Sequence, residues 1–395
     1  MRFGSAGRSA VAAAAVVGSL AVAGVVTFIA SASDPAPSKP LPDTNVVVSP
    51  ANGTQEATLG SRIEVKADGG RLTAVEAQDS EGHKVAGQLA EGGGSWTAQT
   101  KVKPQTTYTV RAVAKSDQGK ESSSASTFTT QRPEKVNKVT ISPSNGQTVG
   151  TGMPISILFD NPVDEDKRAE IEKALKVNAK PQAVGAWGWV KDYSGKDRLD
   201  YRTRTYWPSG THVSVKGALA GIDSGKGGWF IRDYDFSFTV GTDRKAVIDV
   251  LAHTLTMFEY GKSVGTVKGS AGSLKYPTRG GVHTVRGKSA AEVMDSSTIG
   301  FGDEWKLPSQ WVTYLTASGT FLHSAPWNNT IGQENSSHGC FGMTTEDAKT
   351  VYDFLPIGAT VEVKGTSSTE KTDVGNGLEV WQETWDQWQQ RSALK

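Results

Sequence analysis

The chain has 395 residues, with 42 Lys+Arg against 41 Asp+Glu, a formal net charge of +1 and one cysteine. No dense basic run breaks that balance, so nucleic acid is not an expected partner. One thiol cannot close an internal disulfide, and the length suits two or three domains, each with its own core.

In chain order, residues 1–41 open with Arg2 and Arg8, run through an apolar stretch from Ala10 to Ala30, and turn polar at Ser31-Ala32-Ser33-Asp34-Pro35. This pattern reads as an export segment. Ala30-Ser31-Ala32 fits a cleavage site, yet the apolar run is about as long as a spanning helix, so cleavage and a retained anchor are both open. Membrane contact is expected only through this segment, which makes the protein extracytoplasmic, and Pro35 to Pro42 reads as an extended tether.

Abundant Gly, Thr, Ser and Val with few long helical patterns point to a mainly β protein. Val46-Val47-Val48-Ser49-Pro50-Ala51-Asn52-Gly53 is echoed roughly 90 residues on by Val139-Thr140-Ile141-Ser142-Pro143-Ser144-Asn145-Gly146. Each copy predicts a first strand ending in an Asn-Gly turn, and each is closed by an alternating strand, at Ser126–Thr130 and Asp235–Val240. The period suits two immunoglobulin-like sandwiches, 42–132 and 133–242, joined by a hinge at Gln131–Glu134 and lacking the antibody disulfide. They read as spacers; Trp187, Trp189, Trp207 and Trp229 could stack on sugars, but packing is the expected role.

From 243 to 366 the texture changes. Ala246–Leu251 and Thr254–Tyr260 read as strands separated from the next by a turn at Gly261-Lys262, and a meander continues to Phe321-Leu322-His323. Thr344 is placed to cap a helix whose apolar positions Ala348, Val351, Tyr352 and Leu355 recur at helical spacing, and Thr360–Val363 closes the domain. In the tail, 367–395, Trp381, Trp385 and Trp388 predict one stripe of a short helix packing on the preceding domains.

Cys340 lies in Ser337-His338-Gly339-Cys340, downstream of His323 in Phe321-Leu322-His323-Ser324-Ala325-Pro326-Trp327. A lone cysteine is otherwise a small buried hydrophobe, but two histidines and a preceding glycine suit a thiolate nucleophile with a base and room for a carbonyl. Residues two apart on an extended segment stand about 6.5–7 Å apart, whereas cross-strand neighbours come to about 4.5–5.5 Å. His323 is therefore the expected base, keeping the sulfur anionic, and His338 a substrate-side group. The Ser324 carbonyl or a nearby hydroxyl is expected to orient His323, and the amides of Gly339 and Cys340 to face a developing oxyanion. His83, His212 and His253 read as solvated or locally bonded; His283 is a candidate for lining the cleft. No second cysteine, His-x-x-x-His or acidic cluster offers metal ligands, so neither a metal nor another cofactor is expected.

These motifs, His323-Ser324-Ala325-Pro326-Trp327 and Ser337-His338-Gly339-Cys340 above all, resemble the YkuD-type L,D-transpeptidases of the bacterial envelope. The likeness extends to Tyr276-Pro277-Thr278-Arg279-Gly280-Gly281-Val282, to Met294-Asp295-Ser296-Ser297-Thr298, to Asp347-Ala348 with Tyr352-Asp353, and to the Trp-rich tail and both sandwiches. It implies a mainly β fold: two immunoglobulin-like β-sandwiches, then a β-rich L,D-transpeptidase (YkuD-like) domain with one clear helix after the cysteine.

The resemblance further implies that Cys340 attacks the carbonyl joining diaminopimelate to the terminal D-alanine of a peptidoglycan stem, releasing D-alanine. A neighbouring stem's side-chain amine then takes the acyl group, giving a 3→3 cross-link. His323 would be the base, Ser324 its backbone orienter, and His338 and Gly339 would shape the site. Met294, Trp305 and Trp327 would line the substrate cleft, with Ser337, Phe341 and Gly342 beside it. Peptidoglycan stems are the implied partners, and carbapenem β-lactams the implied acylating inhibitors. Gly342 departs from the Arg or Asn usual two residues after the cysteine, which bears on substrate preference. Hydrolysis in place of transfer, an L,D-carboxypeptidase, and a catalytically inactive wall-binding protein are the alternatives. An NlpC/P60-type peptidase is disfavoured because its nucleophile precedes its histidine.

Overall fold

Alternating apolar residues along the 43–129 stretch fold into two antiparallel sheets, seen in a computed structural model that describes residues 43–299, 302–303 and 306–394. The expected export segment, the tether and Trp305 lie outside the described residues. One sheet orders Asn45–Ser49, Glu64–Asp68, Ser95–Ala98 and Gly87–Leu89; the other orders Gly70–Asp79, Thr107–Ser116 and Glu121–Thr129. Inward positions such as Tyr108, Val110, Ala112 and Ala114 are buried, and Tyr108 stacks on Phe128 at 5.4 Å between centroids. Alternation and one covered face account for each other here.

A second sandwich pairs Thr148–Val149, Tyr234–Val240, His212–Gly217 and Leu175–Lys180 against Gly185–Lys191, Asp197–Thr203, Ile155–Phe159 and Val139–Ser142. It also holds a helix, Glu165–Ala174, that the strand pattern gave no sign of. The sequence echo has one structural meaning in both copies. Asn52 Oδ1 accepts the Thr127 amide at 2.8 Å, and Asn145 Oδ1 accepts the Ser237 amide at 2.9 Å. Gly53 and Gly146 follow with φ of 83° and 78°, a left-handed turn that glycine adopts without strain. Trp187, Trp189 and Trp207 are buried in this core, and the Trp229 ring packs over Gly60 of the first sandwich. All four tryptophans pack rather than present a sugar platform.

The strand Asp197–Thr203 is buried at every position, although its sequence alternates. Leu199 and Tyr201 face the sandwich core, while Arg198 and Arg202 face the C-terminal tail. Arg198 forms a double hydrogen bond with Asp200 and donates to the Val374 carbonyl; Arg202 donates to the Val380 and Glu383 carbonyls. The predicted Trp helix needs correction. Val380–Gln382 is a separate 3₁₀ turn and only Trp385–Gln389 is helical, so Trp381 stands outside the helix. The three rings still converge, around the Arg202 guanidinium at 4.8, 5.7 and 5.6 Å. Trp388 is fully buried, donates to the Ala186 carbonyl at 3.0 Å, and lies so close to Gly188 that a Cβ there would meet its ring at 2.8 Å. Trp381 donates to the Gly152 carbonyl at 2.8 Å.

From residue 244 a five-stranded sheet orders Lys262–Lys268, Thr254–Glu259, Arg244–Asp249, Thr360–Lys364 and Gly281–Thr284. The first of the expected strands ends at Asp249 rather than Leu251, and Leu251 is exposed. A four-stranded sheet orders Gly287–Asp295, Lys306–Tyr314, Phe321–Ser324 and Phe341–Met343. The helix Thr345–Phe354 begins where expected: Thr344 Oγ1 accepts the Asp347 amide, and Ala348, Val351 and Leu355 are fully buried in the core shared by the two sheets.

Candidate active site

Two neighbouring strands bring the two motifs together. Phe321–Ser324 runs parallel to Phe341–Met343, with His323 opposite Gly342, and Cys340 sits just before the second strand. His323 and Cys340 line one cavity of about 410 Å³, together with Met294, Leu307, Trp327 and His338. Ser337 and Gly342 line it too.

The imidazole is held on one side. His323 Nδ1 donates to the Ser324 carbonyl at 2.8 Å, which leaves Nε2 as the proton acceptor. Ser309 adds a support that no local motif marks: its hydroxyl donates to the same carbonyl at 2.8 Å and lies 3.3 Å from Nδ1. Ser324 Oγ accepts the Gln310 amide at 2.8 Å, fixing that strand edge. The Trp327 ring, part exposed, stacks on His323 with 6.0 Å between centroids. Burial pushes the His323 pKa below its ordinary value, against the Ser324 carbonyl, which acts to raise it.

The sulfur departs from the expected anion. Cys340 keeps some surface exposure, but protein surrounds the sulfur, and burial pushes the thiol up to about 11 against a hydrogen bond from the Phe321 amide. The thiol donates to the Gly319 carbonyl at 3.3 Å and accepts from the Phe321 amide at 3.4 Å. Its hydrogen-bond partners are backbone groups, and burial of both side chains favours a neutral thiol beside a neutral imidazole. A low-dielectric setting disfavours both charged forms.

The turn around the cysteine is built by Ser337. Its hydroxyl donates to the Cys340 carbonyl at 2.7 Å and accepts the Gly339 amide at 3.1 Å. The expectation that the Gly339 amide faces an oxyanion is corrected accordingly, and the Cys340 amide is left as the candidate donor. Gly339 has φ of 121°, a conformation side chains rarely adopt. His338 is exposed and stacks on Tyr276 at 4.8 Å.

Two further expectations fail. Phe341 is 1% exposed and belongs to the core beneath the site, because its strand position points away from the cavity. His283 does not line the cleft: it is buried, with Nδ1 2.8 Å from Glu379 of the tail and Nε2 bonded to the Arg279 carbonyl. Burial acts to lower its pKa, but the Glu379 charge, the hydrogen bond to Glu379 and the Arg279 carbonyl together outweigh this and the net shift is upward. His83 is locally bonded to Asp79 as expected, whereas His253 bonds Asn335, far along the chain in the loop leading to Cys340. Asn335 also accepts the Ala271 amide, so His253 helps anchor that loop. Among the described residues, Asp79, Glu81 and His83 bring ligand-type atoms within 4.8 Å of one another, a cluster the sequence reading missed; Asp79 Oδ1 already accepts the Glu81 and His83 amides.

Two immunoglobulin-like sandwiches thus precede a two-sheet domain in which a His on one strand and a Cys at the start of its parallel neighbour line one cavity. Residues 54–223 match the bacterial Ig domain family and residues 243–363 match the L,D-transpeptidase catalytic domain family. The chain is 30% identical over 353 residues to L,D-transpeptidase 2 of Mycobacterium tuberculosis (strain CDC 1551 / Oshkosh), covering 88% of this chain and 85% of that protein. It is 28% identical to L,D-transpeptidase 5 of Mycobacterium tuberculosis (strain H37Rv), covering 95% and 81%. A solved L,D-transpeptidase in complex with imipenem is 29% identical, covers 57% of this chain and 98% of its own, and aligns with a TM-score of 0.49. The chain belongs to the L,D-transpeptidases of peptidoglycan, with an Ig-like region ahead of a YkuD catalytic domain.

Proposed function

We propose that Cys340 is the nucleophile of this transpeptidase, an acyltransferase that forms 3→3 cross-links through a thioester on its sulfur. The observation that carries the reading is the shared cavity: His323, on one strand, and Cys340, just before its parallel neighbour, both line it, with the Nδ1 of His323 already committed to Ser324. As the neutral thiol adds to the donor carbonyl, Nε2 of His323 takes its proton, and the same nitrogen returns it to the leaving D-alanine amine. The acceptor amine attacks the thioester, gives a proton to His323 and restores the thiol. The Cys340 amide stabilises the oxyanion, a donor of a kind whose loss typically costs about 2.7–4 kcal/mol of barrier.

Met294, Trp327, Ser337, His338 and Gly342 would contact the stem; a Cβ at Gly342 would meet the Ala325 Cβ at 3.0 Å and come within 3.9 Å of the His323 ring, so the glycine keeps this wall of the cavity uncrowded. Carbapenems would acylate the same sulfur. Action on peptidoglycan supports an extracytoplasmic location. The domain division is proposed as 42–132, 133–242 and 243–366, with 367–395 as a tail that straps the second and third.

Incubating the full chain with disaccharide-tetrapeptide, wild type against Cys340→Ala, tests the assignment. Cross-linked dimer is expected from the wild type alone. Hydrolysed tripeptide without dimer would point to the carboxypeptidase, and dimer from Cys340→Ala would remove the nucleophile.

A further inference from the structure

A second, smaller cavity of about 170 Å³ lies on the other side of Gly319 and His338 and is lined differently. Its walls are Arg279, Thr316, Ser318, Thr320 and, from the C-terminal tail, Thr372 and Asn376. Where the larger cavity presents Met294, Leu307, Ala325 and Trp327, this one presents hydroxyls, an amide and a guanidinium. Gly319 is common to both, and its carbonyl accepts the Cys340 thiol, so Gly319 stands between the smaller cavity and the sulfur.

The polar groups of this chamber divide into those already committed and those that are not. Asn376 is engaged at both ends of its amide: Oδ1 accepts the Ser318 amide at 2.8 Å and Nδ2 donates to the Ser318 hydroxyl at 2.9 Å. Thr316 Oγ1 accepts the Thr320 amide at 2.9 Å. These bonds hold the turn that presents Gly319. Thr372 is different: it is 3% exposed, and its hydroxyl is buried with no hydrogen-bond partner. A buried hydroxyl left unpaired is a cost that folded proteins seldom carry without a ligand or water to relieve it. Arg279, at the mouth, pairs through one nitrogen with Glu370, which is largely exposed, and a guanidinium has five N–H donors in all.

We propose that this chamber is a carboxylate subsite, and that it takes the C-terminal carboxylate of the donor stem's terminal D-amino acid. The proposal rests on the transpeptidase reading above. Thr372 donates its hydroxyl to one carboxylate oxygen and Arg279 supplies the opposite charge. The carboxyl carbon lies three bonds beyond the scissile carbonyl carbon, a reach of about 4 Å, which suits a chamber that adjoins the sulfur through Gly319. Its volume suits one small residue and excludes a stem, while the larger, more apolar cavity takes the aliphatic part of the third residue. A tail remote in sequence thereby helps select what leaves.

The test compares two tetrapeptide donors, one ending in D-alanine and one in D-alaninamide, by mass-spectrometric rates of Cys340 acyl-enzyme formation on the full chain. The wild type is expected to favour the free acid by about tenfold or more, the scale of a charge-assisted hydrogen bond. Thr372→Val, which swaps the hydroxyl for a methyl of the same shape, should cut that ratio severalfold, and Arg279→Met should bring it close to one. Neither should greatly slow the amide donor, which also controls for loss of fold. An unchanged ratio in both variants, or a wild type indifferent to amidation, overturns the subsite alone. Sensitivity confined to an acceptor carboxylate, with the donor's amidation without effect, overturns the assignment to the leaving residue. No Cys340 acyl-enzyme from either donor overturns the transpeptidase chemistry and this subsite with it.

Discussion

Alkylation of Cys340 should report a thiol that is hard to ionise. Burial lifts it from an ordinary 9.0 to about 11, with the sulfur held between the Gly319 carbonyl and the Phe321 amide. At pH 8 about one thousandth of such a thiol is anionic, against about one tenth for a thiol at 9, so iodoacetamide should label it about a hundredfold more slowly. The rate should climb close to tenfold per pH unit from pH 7 to pH 10. His323→Ala should change this labelling less than about threefold, since no ion pair holds the thiolate, yet it should abolish acyl transfer, where the imidazole must take the proton. The assay is pseudo-first-order labelling followed by intact mass. A plateau between pH 6 and 8 that disappears in His323→Ala would show a preformed thiolate–imidazolium pair and refute the neutral-pair argument.

Three other outcomes follow from the same contacts. Ser309→Ala removes the hydroxyl that supports the Ser324 carbonyl and the His323 ring, a loss of about 1 kcal/mol, and should lower kcat about fivefold with KM little changed. Trp388→Ala empties a fully buried site between the tail and the Gly185–Lys191 strand; denaturant unfolding should show a loss of about 3–5 kcal/mol. His283 is raised by buried Glu379, so its stabilising effect is full below the unfolded histidine value near 6.5 and is lost as pH rises through the higher folded one. Urea midpoints should therefore fall from pH 6 to pH 9, and His283→Gln should flatten that slope; an equal slope in the variant would assign the effect to other groups.

Much of this molecule is legible from local pattern. Alternation with one face buried marks the sandwich strands, Asn-Gly marks the repeated turn, and Thr344 with its helical apolar spacing marks the helix after the cysteine. The two motifs around His323 and Cys340 mark the candidate site because the proposed chemistry demands a nucleophile and a base, whatever the register that joins them. Ser309, Gly319 and Thr372 carried no such mark. A serine on an alternating strand, a glycine in a turn and a threonine in a tail are ordinary in sequence, and their roles arise only where strands and tail meet.

The sequence by itself determined the family, the mainly β architecture and the pair of side chains proposed for the reaction centre, since these depend on periodicity and on residue type at short range. Tertiary structure decided the burial that raises the thiol, the fate of Phe341 and His283, and the strapping of the tail across Arg202. Those depend on burial and on contacts between residues distant in the chain. Desolvation energy is a property of the surroundings, and a linear string of residues does not contain its surroundings.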